Sequence, residues 1–257
     1  MVRLGEPVLE CHGLNKAWGG IHALAGIDLS VGKAEILGLA GANGAGKTTL
    51  LNAVGGQTKL DRGEVSFKGR RIDRLSPVAI RRLGLGRTFQ KTRVVLSRNV
   101  LENVSLAAEY GIATRRLPPL RIRSSSVSAA TEALALVGLS GLESAAADEL
   151  GVYTEKKLML AMALVPEPEL LLLDEPAGGL SPAEVEDMAG IVRGLRDRGI
   201  TILLVDHVMS FITALADRMV VLHEGRVLAE GTANEIVHDK RVRDTWLGDP
   251  QTDHPVT

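Results

Sequence analysis

The sequence predicts an α/β fold with a helical segment set between two mixed halves. Three observations carry this prediction. Apolar runs without polar alternation, at 34–40, 169–173 and 200–205, have the pattern of central parallel strands covered on both faces. Amphipathic stretches with capping signals separate these runs. Within roughly 97–165 the periodic segments are all helical and none has a strand pattern.

The elements follow in order. Residues 8–18 and 24–31 read as N-terminal strands, and 34–40 as a buried strand. A glycine-rich turn then leads into a helix over 48–54. Residues 64–67 and 71–72 flank the short turn Lys68-Gly69-Arg70. Ser76-Pro77 supplies an N-cap with proline at the first helical position, and that helix stops at Gly84. Residues 99–110 are helical by pattern. Residues 111–126 form a loop rich in proline, arginine and serine. Helices follow at 129–137, ending at Gly138, and at 156–164, stopped by Pro166 and Pro168. After the leucine run 169–173, Ser181-Pro182-Ala183-Glu184 is a capping box opening a helix that ends near Gly199. Strand 200–205 comes next. Residues 219–222 and 227–229 flank the turn Glu224-Gly225, and Thr232 to Glu235 opens a C-terminal helix with a second capping box.

The composition limits the classes of function. The 257 residues are 45% hydrophobic, enough for a packed core, and the net charge of −1 draws the chain toward neither nucleic acid nor an acidic surface. Aromatic residues make up 3%, which leaves few platforms for stacking single-stranded bases. No apolar run approaches a membrane span, and residues 1–6 lack an apolar signal region, so a soluble or peripheral protein is expected. The one cysteine, Cys11, forms no internal disulfide, fits a reducing compartment, and is expected to be half-buried. Residues 68–98 hold ten basic residues and one acid, Asp73. Two readings stay open for this stretch, a solvated face and a docking surface for a partner or anionic lipid.

The chemistry begins at Gly41-Ala42-Asn43-Gly44-Ala45-Gly46-Lys47-Thr48-Thr49. This run fits the phosphate-binding pattern G-x-x-x-x-G-K-[ST], in the strand–loop–helix setting that pattern needs. Backbone N–H groups of Asn43 to Thr49 converge on an anion, and the helix N-terminus adds its positive end. Lys47 reaches toward the β- and γ-phosphates, and Thr48 offers a hydroxyl to Mg²⁺. Asp174, at the end of the leucine strand, is placed to hold the same metal. Glu175 beside it is a candidate general base. His207 ends the neighbouring strand, where it can contact a γ-phosphate. Gln90, after Gly86-Arg87-Thr88-Phe89, is a neutral amide able to bind both Mg²⁺ and the attacking water.

This set, in this order and spacing, resembles an ABC-type ATPase cassette over nearly the whole chain. The segments Gly86-Arg87-Thr88-Phe89-Gln90, Asn99-Val100-Leu101-Glu102-Asn103-Val104, Asp174-Glu175-Pro176-Ala177-Gly178-Gly179-Leu180-Ser181-Pro182 and Asp244-Thr245-Trp246-Leu247-Gly248 are similar to the ATPase subunits of branched-chain (hydrophobic) amino acid importers. The resemblance implies one ABC ATPase domain with a P-loop NTPase (RecA-like) α/β core over 1–96 and 166–257. It also implies an N-terminal antiparallel β part and an inserted helical subdomain over about 97–165. ATP and Mg²⁺ are the implied ligands. A head-to-tail dimer of cassettes and two membrane permease subunits are the implied partners, at the cytoplasmic side of the membrane. Trp18 falls where the family places an aromatic that stacks on adenine; an ordinary buried tryptophan is the competing reading.

Two departures from the family pattern bear on mechanism. The family's signature, LSGGQ or a variant, aligns with Leu150-Gly151-Val152-Tyr153-Thr154-Glu155. Gly151 lacks the serine hydroxyl that the family's dimer directs at the opposite γ-phosphate, and Tyr153 adds bulk where backbone approaches closely. Ser181 stands where many cassettes have aspartate. A complete P-loop half-site beside a weakened signature points to a heterodimer with another cassette. A lipopolysaccharide-export ATPase, a soluble nucleic-acid-associated ABC protein and a subunit without turnover are the alternatives. The weak signature argues against the first, the single cassette against the second, and Glu175 with His207 against the third. Residues 90–103 are expected to line a groove for a permease helix, with Arg87 and Arg93 on its flank.

Overall fold

The structure, a computed structural model, describes residues 6–88, 94–112 and 123–247. The two halves of the chain interleave. A four-stranded antiparallel sheet has the order β2-β1-β4-β5, with β1 at Pro7–Trp18, β2 at Ile21–Gly32, β4 at Arg62–Phe67 and β5 at Arg70–Arg71. A six-stranded sheet has the order β10-β9-β3-β8-β7-β6. Its strands are β3 (Ile36–Gly41), β6 (Leu85–Arg87), β7 (Leu170–Asp174), β8 (Thr201–Val205), β9 (Arg218–His223) and β10 (Arg226–Gly231). All of its neighbours pair in parallel except β9 and β10, which form the hairpin expected around Glu224-Gly225.

The unbroken apolar runs are explained by two covered faces. Leu170 and Leu172 join β1, β2, β4 and helix α1 (Lys47–Val54) in a core between the two sheets. Leu171 and Leu173 point the other way, into a core shared with helices α3 (Val100–Ile112), α4 (Ser124–Leu136), α5 (Val152–Leu164) and α6 (Pro182–Asp197). All four leucines are fully buried. Each contributes about 1.5–3 kcal/mol of transfer free energy, which is why no polar residue interrupts the run. Helix α2 (Pro77–Arg82) carries the expected Ser76 cap, α7 spans Met209–Leu215, and α8 (Ala233–His238) opens on the Thr232–Glu235 capping box.

Several expectations shift. Helix α4 starts at Ser124, so its first turn takes residues assigned to the loop; three consecutive serines are read from sequence as loop but pack as a helix start, with Ser126 buried and bonded to Glu109. Helix α5 starts at Val152 rather than 156, with Gly151 as an extended N-cap. Cys11 is fully buried, and burial pushes its thiol up to about 12. Among the described residues of the basic stretch, Lys68, Arg70, Arg71, Arg74, Arg82 and Arg98 are exposed, as a solvated face requires, and several are paired with acids. Arg71 pairs with Glu64 and Asp73, Lys68 with Glu169, and Arg98 with Glu102. Arg81 is drawn inward to the carbonyls of Ala107 and Met162, and Arg87 is buried beside Asp174. No helix among the described residues is long and apolar enough to cross a membrane.

Candidate active site

The strand order places three loops together. In open α/β sheets ligands bind beyond the carboxyl ends of the parallel strands. Here β3, β8 and β7 are adjacent and parallel, so the glycine-rich loop, Asp206-His207 and Asp174-Glu175 all emerge at one edge.

The loop between β3 and α1 is shaped by its glycines. Gly41 has φ +143°, and a Cβ there would lie 2.2 Å from the Leu222 carbonyl oxygen; Gly46 has φ +107°, and a Cβ there would lie 2.3 Å from the Ala23 carbonyl oxygen. Both positions therefore bring backbone against backbone, which only glycine permits. Lys47 is buried and donates to the Gly41 and Ala42 carbonyls at 2.6 and 2.9 Å. Burial lowers its ammonium pKa, while the nearby charges of Glu175 and Asp174 act in the opposite sense. Thr48 is exposed on the first turn of α1, with Asn43 and Gly44 exposed in the loop before it and Thr49 half-buried after it.

Asp174 is buried at the end of β7. Its Oδ2 accepts from Arg87 at 3.3 Å, and its N–H donates to Thr88 Oγ1 at 3.2 Å. Arg87 also donates to Gln57 at 2.9 Å, which ties β6 to the segment after α1. Burial raises the Asp174 carboxyl above the ordinary range; Arg87 opposes that rise and Glu175 adds to it. Asp174 Oδ1 is buried and has no hydrogen-bond partner among the described residues. An orphaned carboxylate oxygen, an exposed Thr48 hydroxyl and a glycine cradle together fit a metal–triphosphate ligand. Asp174 Oδ1 and the Thr48 hydroxyl would be the one or two protein oxygens that Mg²⁺ takes, the rest of its shell being left to water and phosphate.

Glu175 Oε1 and His207 Nε2 lie in direct contact. Asp206, fully buried, was missed from sequence and is what sets this arrangement. Its Oδ1 accepts from the N–H groups of His207 and Val208 at 2.8 and 3.0 Å, and its Oδ2 from Ala177 at 2.8 Å. One carboxylate thus fixes both loops. The signal was present, because Asp206 is an acid directly following the last residue of β8, which itself pairs with Asp174 at the end of β7.

The remaining candidates fall as follows. Trp18 is 56% exposed at the end of β1 with Lys16 over its ring at 4.5 Å, so the buried reading fails. Gln90 lies outside the described residues. Tyr153 turns back onto α6, where its hydroxyl donates to Asp187 and Lys157 packs over its ring. Its bulk therefore leaves the N-terminus of α5 open, and a Cβ at Gly151 would meet nothing within 4 Å. The Ser181 hydroxyl is engaged in the capping box with Glu184.

Known proteins resemble the chain in sequence and in fold. The family model for "ABC transporter" matches residues 24–178. The high-affinity branched-chain amino acid transport ATP-binding protein LivG of Salmonella typhimurium is 33% identical over 254 residues, covering 96% of this chain and 100% of LivG. The corresponding protein BraF of Pseudomonas aeruginosa is 31% identical with the same coverage of both chains. Among solved structures, the ADP conformation of MJ1267, an ATP-binding cassette of an ABC transporter, superposes with a TM-score of 0.85 at 27% identity. That match covers 95% of this chain and 99% of the other.

Proposed function

Since the chain belongs to the ABC transporter family of ATP-hydrolysing cassettes, we propose that it is the subunit that energises an importer of branched-chain amino acids. The observation that carries the chemistry is the meeting of the glycine loop, Asp174-Glu175 and Asp206-His207 at one edge of the parallel sheet. The substrate class rests on the names of LivG and BraF.

In this reading the loop N–H groups of Asn43 to Thr49 and the Lys47 ammonium bind the phosphates of ATP, and Trp18 stacks on adenine. Thr48, Asp174 and Gln90 would hold Mg²⁺, which supplies charge neutralisation for the triphosphate. Glu175 orients a water and accepts its proton as the water oxygen bonds to the γ-phosphorus. The bond from that phosphorus to the β–γ bridging oxygen breaks, leaving ADP and phosphate. His207 holds the Glu175 carboxylate and contacts the γ-phosphate. We read about 97–165 as a helical subdomain on the 1–96 and 166–257 core, and the protein as peripheral on the cytoplasmic face of the membrane.

We place the permease partner on an apolar face of the chain. An apolar groove of about 300 Å³ runs between α2, β6, α3 and α5, lined by Val78, Ala107, Met159 and Met162 among others. Arg87 lines this groove on its β6 side, as expected of a flanking residue; the groove draws on Val78 and Met159 rather than on the described residues 94–103, and residues 90–93, Arg93 included, lie outside the described residues. The experiment is uptake of labelled leucine by vesicles containing this chain and its permeases with ATP on the cassette side. Uptake that requires ATP supports the reading; ATP turnover with no uptake of leucine, isoleucine or valine overturns the substrate class.

We further read the dimer as a heterodimer, because Gly151 offers no hydroxyl to the opposite site. Its φ of −70° and open surroundings accept serine without strain. Gly151→Ser is therefore expected to leave stability within a few tenths of a kcal/mol, since Gly and Ser are both good N-caps. The added hydroxyl is expected to raise turnover at the opposite site by about tenfold, the worth of one charge-assisted hydrogen bond. Single-site turnover in a complex carrying Glu175→Gln in this chain checks it.

A further inference from the structure

We propose that Lys156 is a positioning residue for hydrolysis: from helix α5 it holds the strained backbone of Glu175, so that the set of the base depends on the position of that helix. This rests on the reading of Glu175 as the base.

The strain is local and specific. Glu175 has φ +53°, the left-handed region that residues other than glycine seldom occupy. It also precedes Pro176, whose ring crowds the preceding residue and favours extended backbone there. A residue held against both preferences persists only when its surroundings over-determine it. Three hydrogen bonds do so. The Glu175 N–H donates to the Val205 carbonyl at 2.8 Å, which fixes one side of the residue to β8. On the other side its carbonyl accepts from Gly178 N–H at 3.3 Å and from Lys156 Nζ at 2.7 Å. The lysine bond is the shorter of the two and the only one of the three that comes from α5.

The surroundings make that bond deliberate in physical terms. Lys156 lies between a void of about 20 Å³ beside Asp174, Pro176 and Met188 and a cleft lined by Val152, Glu175, Gly178 and Gly179. Burial lowers its ammonium pKa, and the charges of Asp206, Glu175 and Glu155 act against that. The cation thus offsets the charge of the loop-fixing Asp206 and the base itself. Displacing α5 withdraws the donor, frees the Glu175–Pro176 peptide, and lets the carboxylate leave His207. Lys156 lies two turns or less from Gly151, so it ties the N-terminal part of α5 to the backbone of the base.

The test uses the assembled complex, with this chain as parent, Lys156→Met, Lys156→Gln and Lys156→Arg, each also combined with Glu175→Gln. Lys156→Met and Lys156→Gln are expected to lower kcat about 10- to 100-fold, the scale of a reacting group displaced by an ångström, with KM for ATP and the melting temperature of the chain little changed. Lys156→Arg keeps a cationic donor and is expected to recover most of the turnover. In the Glu175→Gln background Lys156→Met is expected to cost less than about twofold, because it acts through a group already removed. Full kcat in Lys156→Met and Lys156→Gln beside an inactive Glu175→Gln overturns the inference and leaves the base reading intact. A Lys156→Met penalty that persists undiminished in the Glu175→Gln background, or that appears in KM, overturns it as well. Full activity in Glu175→Gln overturns the base reading and the inference together.

Discussion

Glu175→Gln is expected to lower steady-state ATP turnover of the assembled complex by about 10²–10⁴-fold, the usual worth of a general base. The amide keeps the size and the hydrogen-bonding reach of the side chain but takes no proton at neutral pH. The backbone bonds to Val205, Gly178 and Lys156 involve no carboxylate atom, so the loop is expected to keep its shape. The loss should therefore fall on kcat, while nucleotide affinity, carried by the loop around Lys47, stays close to the parent. Steady-state kinetics beside calorimetric binding of ATP–Mg²⁺ check both halves. Parent-like turnover would assign the base elsewhere. Loss of binding in step with turnover would make Glu175 a structural residue.

The second large effect is on stability. Arg87→Met is expected to destabilise the chain by about 3 kcal/mol at neutral pH, because removing one partner of a buried pair leaves the other charge uncompensated. The two side chains are 6% and 3% exposed, so solvent cannot take over the role of the guanidinium. The pH dependence has a definite sign. Burial already raises the Asp174 carboxyl, and Arg87 is what holds it down. A carboxyl with a raised folded pKa favours folding fully below its unfolded pKa and loses that contribution as pH rises through the folded pKa. Removing Arg87 raises the folded value further. The difference between parent and Arg87→Met should thus be largest near pH 7 and shrink as pH falls toward the range where Asp174 protonates. Urea unfolding of both proteins from pH 7 to pH 5 measures it; a pH-independent difference would place the loss in packing rather than charge.

What could be read from the sequence and what could not divides along the range of the interactions. The glycine loop, the leucine strand with Asp174-Glu175, and His207 are local patterns whose residue types and spacing state their own geometry. The capping boxes at Ser181 and Thr232 were equally legible, because a cap and its partner are three residues apart. The start of α5 was missed because Val152 and Thr154 are β-branched and Gly151 caps without a side-chain bond, leaving no local signal. The place of Arg87 was missed for a different reason. Counted along the chain it belongs to a basic stretch. Only the parallel pairing of β6 with β7, which sets Arg87 opposite Leu172, carries it to Asp174. Asp206 and Lys156 are the same case: each acts on Ala177 or Glu175 across 29 or 19 residues, and such contacts exist only once the strand order is fixed.

The departures at the α5 N-terminus also gain a physical account. Tyr153 does not block the approach to this helix end, because Asp187 and Lys157 hold its ring against α6. The weakness of the signature is therefore the missing hydroxyl at Gly151, a deficit of one hydrogen bond rather than a steric obstruction. A dimer partner with its own serine at that position would supply the stronger half of the site that uses this chain's P-loop.

Binding of ATP with Mg²⁺ by the loop from Gly41 to Thr49 is the first requirement of the proposed function. It is tested most directly by titrating the purified full chain with ATP in a calorimeter, with and without Mg²⁺, beside Lys47→Ala. The expected result is one ATP per chain, bound more tightly with Mg²⁺ and lost or strongly weakened in Lys47→Ala. No binding to the parent, or equal affinity in Lys47→Ala, would contradict the account.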